Sequence, residues 1–130
     1  MSSAYYLVFD KDPAGFDAFV NGKALAHAAK ELDAIAADAG ATPLSSFVSY
    51  SEREKETFEL SDEQFAMLPP ERWYSPAEIA RTVSALVVAL QADPPAVENA
   101  AAVLSDLAEY EAVLSKAAAL GLQCHLAIDY

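Results

Sequence analysis

Few residues in this sequence can act as nucleophile, base or soft metal ligand near neutral pH. They are His27, His125 and Cys124. Cys124 and His125 are neighbours in the run LQCHLAIDY (122–130), which alternates apolar and polar residues like a half-buried strand. Adjacent strand residues point to opposite faces, so these two cannot form a thiol–imidazole dyad by themselves. His125 and Asp129 share a face, but four residues of strand separate them by roughly 13 Å. That is too far for the carboxylate to orient the ring directly. Nothing in the spacing brings His27 to either. The ordinary expectation is therefore a surface histidine and a buried, inert cysteine. A catalytic site would have to be assembled from distant residues, around His125, Asp129 and a tyrosine such as Tyr5 or Tyr6.

Other site chemistries find less support. The sequence holds no His-Glu-x-x-His, no paired cysteines and no Asp-x-Asp-x-Asp-Gly loop, so no metal is expected. Gly15, Gly22, Gly40 and Gly121 are too scattered for a phosphate-cradling loop, and Ser45 and Ser46 sit in no nucleophile elbow. No cofactor is implied.

Charge says more. The chain carries 20 acidic against 8 basic residues, a net of -12. Nucleic acid and anionic membranes need a basic footprint, so neither is an expected partner. A basic protein partner would be steered in by such a field. The acidity concentrates in Ser51–Tyr74, with Glu52, Glu54, Glu56, Glu59, Asp62, Glu63 and Glu71, partly offset by Arg53, Lys55 and Arg72. Hard cations also take carboxylates, but a solvated or protein-facing run is the commoner meaning. Phe65, Met67, Leu68, Trp73 and Tyr74 follow, and interfaces favour such apolar anchors inside a charged rim. Trp73 and Tyr74 also directly precede a helix cap, where they would dock the chain onto the core.

That helix is the element the rest is organised around. Ser75 caps it, Pro76 suits its first position, and Glu78 completes a capping box. Ile79, Val83, Leu86, Val87 and Leu90 form one face to about Leu90. Asp93-Pro94-Pro95 then restarts a helix over 94–120, with Val97, Ala100, Ala101, Leu104, Leu107, Ala108 and Leu114 on its apolar side and Val103 and Tyr110 flanking. The short connection predicts a long antiparallel pair (75–90, 94–120). Gly121 stops it, and LQCHLAIDY pairs with Ala4–Phe9, a dense apolar strand. Between these ends lie a short helix after Asp12-Pro13 that finishes at Asn21-Gly22, and a helix over Lys23–Ala39 closed by Gly40. Pro43–Tyr50 reads as a weak strand or extended loop, and Thr57–Leu60 as a brief strand. Ser61-Asp-Glu-Gln64 is a second capping box. The fold class is α+β in one domain, 1–130: a small sheet holding both terminal strands, packed against helices.

Trp-Tyr-Ser-Pro-Ala-Glu (73–78) and AAALGLQCHLAID (117–129) together resemble the YfbM-like family and related domains of unknown function from small bacterial proteins. Some small acidic proteins of that general kind are immunity proteins that neutralise toxins, and no catalytic residue is implied. No run approaches the ~20 apolar residues of a bilayer span. The first residues, MSSAYYLVFDKD, lack the basic and apolar regions of a secretory signal. A cytoplasmic, non-enzymatic binding protein is the leading expectation, ahead of an enzyme near His125 and a homo-oligomeric structural domain.

Overall fold

The computed structural model describes residues 4–11, 20–50, 61–67 and 70–129, with backbone alone for Phe65 and Asp129. The fold is α+β. Among the described residues, strands β1 (Ala4–Phe9) and β2 (Cys124–Asp129) frame five helices: α1 (Lys23–His27), α2 (Ala29–Asp38), α3 (Asp62–Met67), α4 (Pro76–Ala92) and α5 (Ala100–Ala119). β1 and β2 pair antiparallel, with Ala4 opposite Asp129 and Phe9 opposite Cys124. Two short bridges extend the sheet beyond β2: Val48 pairs parallel with Leu126, and Tyr74 antiparallel with Cys124. β2 is thus the centre of the sheet, with strand-like backbone along both edges.

The capping signals work as their chemistry requires. Ser75 Oγ accepts from the Glu78 amide at 3.3 Å. Ser61 Oγ accepts from Gln64 N, and Gln64 Oε1 accepts from Ser61 N, a reciprocal box. Gly40 and Gly121 close α2 and α5 with φ of 74° and 69°, the left-handed geometry glycine adopts without strain. Helices α4 and α5 pack antiparallel: a cleft between them is lined by Pro76 and Ala80 from the start of α4 and by Leu114 and Ala118 from the end of α5. Ile79, Val83, Leu86 and Leu90 of α4 are buried.

Four sequence expectations need correction. The helix after Asp93 does not run unbroken. Pro94–Ala96 form a 3-10 turn and α5 begins only at Ala100. Val97 drops into the core with extended backbone, and Asn99 takes a φ of 59° that asparagine tolerates, so the chain is redirected before the helix starts. The buried stripe of α5 is also rotated. Val103, Leu107, Tyr110, Val113, Leu114 and Ala117 are buried, whereas Ala101 and Ala108 are exposed and Leu104 is half-buried. In an alanine-rich helix the bulky side chains decide which face is inside. The expected helix over Lys23–Ala39 is divided at Ala28 into α1 and α2. Leu44–Phe47 is a 3-10 turn, and only Val48 and Ser49 are extended against β2. The short helix expected after Asp12-Pro13 and the strand at Thr57–Leu60 lie outside the described residues.

The start of α1 is held by a polar network in the core. Asp106 Oδ2 accepts from Ala24 N at 3.1 Å and Leu25 N at 3.4 Å, capping α1 from α5. Tyr110 donates its hydroxyl to the Tyr5 carbonyl at 2.6 Å, and Tyr5 N donates to Gly22 O at 3.1 Å. Burial pushes the Tyr110 phenol and the Asp106 carboxyl above their ordinary ranges, so the phenol stays a donor.

Candidate functional site

β2 is buried on both faces, and this places the candidate chemistry. On the helix side lie Cys124 and Leu126, with Tyr5 opposite Ile128. On the other side lie His125 and Ala127, with Val8 and Tyr6 as their cross-strand partners. The expectation of a surface histidine is overturned: His125 is 0% exposed. The stretch 70–74 crosses its edge of the sheet and covers it. Tyr74 exchanges backbone hydrogen bonds with Cys124 at 2.8 and 2.9 Å, and Arg72 N donates to Ser49 Oγ at 2.8 Å. Residues 71 and 73 then point to one side of that extended segment, as alternation requires. Glu71 Oε2 lies 2.7 Å from His125 Nε2, and the Trp73 ring sits 4.8 Å from the imidazole, tilted 53°. His125 Nδ1 is 2.9 Å from the Leu126 carbonyl oxygen.

Tyr5 does not join His125, and the side chain of Asp129 lies outside the described residues. Tyr5 is buried on the opposite face, and its carbonyl is engaged by Tyr110. Tyr6 shares the face of His125 but stands opposite Ala127. Both ring nitrogens of His125 are already engaged, and the ring has no contact with solvent. Cys124 is buried as expected, and burial, aided by the negative charge of Asp10, pushes its thiol up to about 12. A thiol in that state is a poor nucleophile at neutral pH. Among the described residues no cluster of three His, Cys, Asp or Glu side chains is arranged to hold a metal.

The proposed binding residues divide. Glu52, Glu54, Glu56 and Glu59 lie outside the described residues. Asp62 and Glu63 are exposed in the first turn of α3, and Met67 in its last turn is 84% exposed. Trp73 and Tyr74 are half-buried and make contacts within the fold. Tyr74 meets Phe47 edge-on at 5.0 Å and donates its hydroxyl to the Ser46 carbonyl. Sequence reasoning counted Glu71 only as one acid among many. The available signal was the alternation Glu71-x-Trp73 ahead of a capped helix, which marks an extended segment with one covered face.

A cleft of about 350 Å³ between the end of α2 and the start of α4 is lined by Gly40, Thr42, Phe47, Tyr74, Glu78 and Arg81. It carries one cation, Arg81, against one carboxylate, Glu78. No helix among the described residues is long and apolar enough to cross a membrane. No family model, no curated protein and no solved structure matches this chain.

Proposed function

We propose that this protein is a non-enzymatic, acidic binding domain that captures a basic protein partner, in the manner of an immunity protein that occludes a toxin. The observation that supports the reading is the disposition of the carboxylates. Asp106 is buried and Glu71 is paired with His125, whereas Asp38, Asp62, Glu63, Glu78, Asp93 and Glu98 are exposed. Exposed carboxylates on a chain of net charge -12 create a field that raises the encounter rate with a basic surface and falls with salt. Both His125 nitrogens are engaged and Cys124 is buried, which supports a binding reading over an enzymatic one.

The partner contact is assigned to the acidic stretch from Glu52 to Glu63. The test is affinity capture with the immobilised full chain at low and at high salt. Wild type is compared with the triple reversal Glu52→Lys, Glu54→Lys, Glu56→Lys and with Asp62→Lys, Glu63→Lys. A specific basic protein retained at low salt and lost on reversal is the expected result. Capture of nothing at low salt, or retention indifferent to both reversals, overturns the reading.

A further inference from the structure

We infer that the cleft between the end of α2 and the start of α4 binds a small zwitterion, a free α-amino acid with an apolar side chain. Two kinds of wall meet there. Glu78 and Arg81 stand three residues apart on α4, both exposed and both lining the cleft. Phe47, Tyr74 and Ala41 supply apolar surface beside them. Side chains three apart on a helix lie ~5–6 Å apart at Cβ, close enough to bracket two charges carried on one carbon. The ammonium of an α-amino acid then meets the Glu78 carboxylate and its carboxylate meets the Arg81 guanidinium. Its side chain lies against the Phe47–Tyr74 wall. Arg81 can grip a carboxylate through two parallel N–H donors, which fixes the ligand's orientation as well as its charge.

The two charges select the class of ligand. A simple anion held by Arg81 would also face Glu78, and a simple cation held by Glu78 would also face Arg81. A zwitterion satisfies both. The field of a chain with net charge -12 repels a net anion and attracts a cation, so Arg81 is the group that turns a bare cation away. A net-neutral ligand is indifferent to that field. The volume of about 350 Å³ is at the lower end of the range for small-molecule pockets and suits a ligand of amino-acid size.

The walls are fixed before a ligand arrives. Thr82 Oγ1 donates to the Thr42 carbonyl at 2.6 Å, which ties α4 to the turn after α2. The Tyr74 hydroxyl donates to the Ser46 carbonyl at 3.2 Å, and the Phe47 and Tyr74 rings meet edge-on at 5.0 Å. A preformed cleft spares the ligand the cost of ordering its walls. Only the Glu78 and Arg81 side chains have to settle. The site stands whether or not the acidic surface has a partner, and salt separates the two: capture of a basic protein weakens as salt rises, whereas binding of a net-neutral ligand changes little.

The test is an NMR titration of the ¹⁵N-labelled full chain with L-phenylalanine, beside phenethylamine, which lacks the carboxylate, and hydrocinnamate, which lacks the amine. Saturable shifts of the Thr42, Tyr74 and Arg81 amides are expected, with a Kd of ~1–10 mM for so small a ligand. Each analogue should bind at least about threefold more weakly, the worth of one exposed ion pair. Glu78→Gln should weaken L-phenylalanine by about three- to fivefold and leave hydrocinnamate no weaker. Arg81→Gln should weaken L-phenylalanine as much and leave phenethylamine no weaker. Both positions are exposed, and glutamine keeps the capping box and the helix propensity, so the fold should be preserved. The inference is overturned if L-phenylalanine gives no saturable shift by ~50 mM, if the shifts map outside the cleft, if either analogue binds as tightly, or if either variant binds L-phenylalanine as wild type does. Should a variant fail to fold, the two analogues on the wild-type chain decide.

Discussion

Replacing Gly22 by alanine tests the close approach of β1 to the start of α1. A methyl group built on Gly22 would fall 1.9 Å from the Tyr5 carbonyl oxygen and 2.6 Å from the Tyr110 hydroxyl. Ordinary contact begins at 3.4 Å, so β1 and the start of α1 would have to separate by about 1.5 Å. The obstructing atom is backbone, which cannot swing aside as a side-chain tip can. Two hydrogen bonds occupy that gap: Tyr5 N to Gly22 O at 3.1 Å and Tyr110 Oη to Tyr5 O at 2.6 Å. Each buried polar group left unsatisfied costs ~1–3 kcal/mol, so Gly22→Ala should lose about 2–6 kcal/mol. A domain of this kind has ~5–15 kcal/mol in all, so the variant would be marginal. At ~3–5 °C per kcal/mol, its Tm should fall by at least ~6 °C. Urea unfolding followed by far-UV circular dichroism, with a thermal scan alongside, measures this. Gly40→Ala and Gly121→Ala are the controls. An added methyl meets nothing within 4 Å at either site, but φ is positive, so each should cost only ~1–2 kcal/mol. A Gly22→Ala loss below that of the controls would show that the close approach is not held rigidly, and the reasoning would fail.

Other outcomes follow from the same core. Tyr110→Phe should cost about 1–2 kcal/mol in urea unfolding, since it removes the 2.6 Å bond without opening a cavity. Asp106→Asn keeps an acceptor for the Ala24 and Leu25 amides but removes the buried charge, whereas Asp106→Ala removes both and should cost ~1–3 kcal/mol. Burial raises Asp106 above its ordinary 3.8, so its contribution to stability is full below that pH and declines as pH rises through the folded value. Stability relative to Asp106→Asn should therefore shift toward the variant between acid and neutral pH, and a constant gap in urea midpoints would contradict this. Leu86→Ala should cost ~2–5 kcal/mol, and Leu104→Ala clearly less, because Leu86 is fully buried and Leu104 only half. Cys124 should resist a thiol reagent such as iodoacetamide until the protein unfolds, and rapid labelling of the native chain would refute its burial.

What the sequence disclosed about the fold, and what it withheld, divide by range along the chain. Helix caps and stops are local chemistry, so Ser75, Ser61, Gly40 and Gly121 announce their roles through neighbours three or four residues away. The alternation at 122–130 likewise marks a strand, and its pairing with Ala4–Phe9 follows from there being one other dense apolar run. The second face of β2 was illegible for the opposite reason. His125 reads as solvent-facing because its immediate neighbours alternate with it. What covers it is a segment some fifty residues away, whose own pattern, Glu71-x-Trp73, is too brief to identify its target. Asp106 is an intermediate case. It lies on the stripe of Val103, Leu107 and Tyr110, and a carboxylate there signals a buried acceptor in need of donors. Which donors, the start of α1, only the tertiary structure supplies. The exposed acids of the candidate surface are legible as charge, but charge alone carries no address.

The placement of β2 at the centre of the sheet sets a schedule for the chain's synthesis. The strand that joins Phe9, Val48 and Tyr74 emerges from the ribosome after all of them. Until it does, the aromatic run at the front of the molecule has its partner still unmade, and its sticky backbone rim is open to other nascent copies. A protein arranged this way closes like a book bound last at the spine, and a chain cut just before that strand should aggregate rather than fold to a smaller domain.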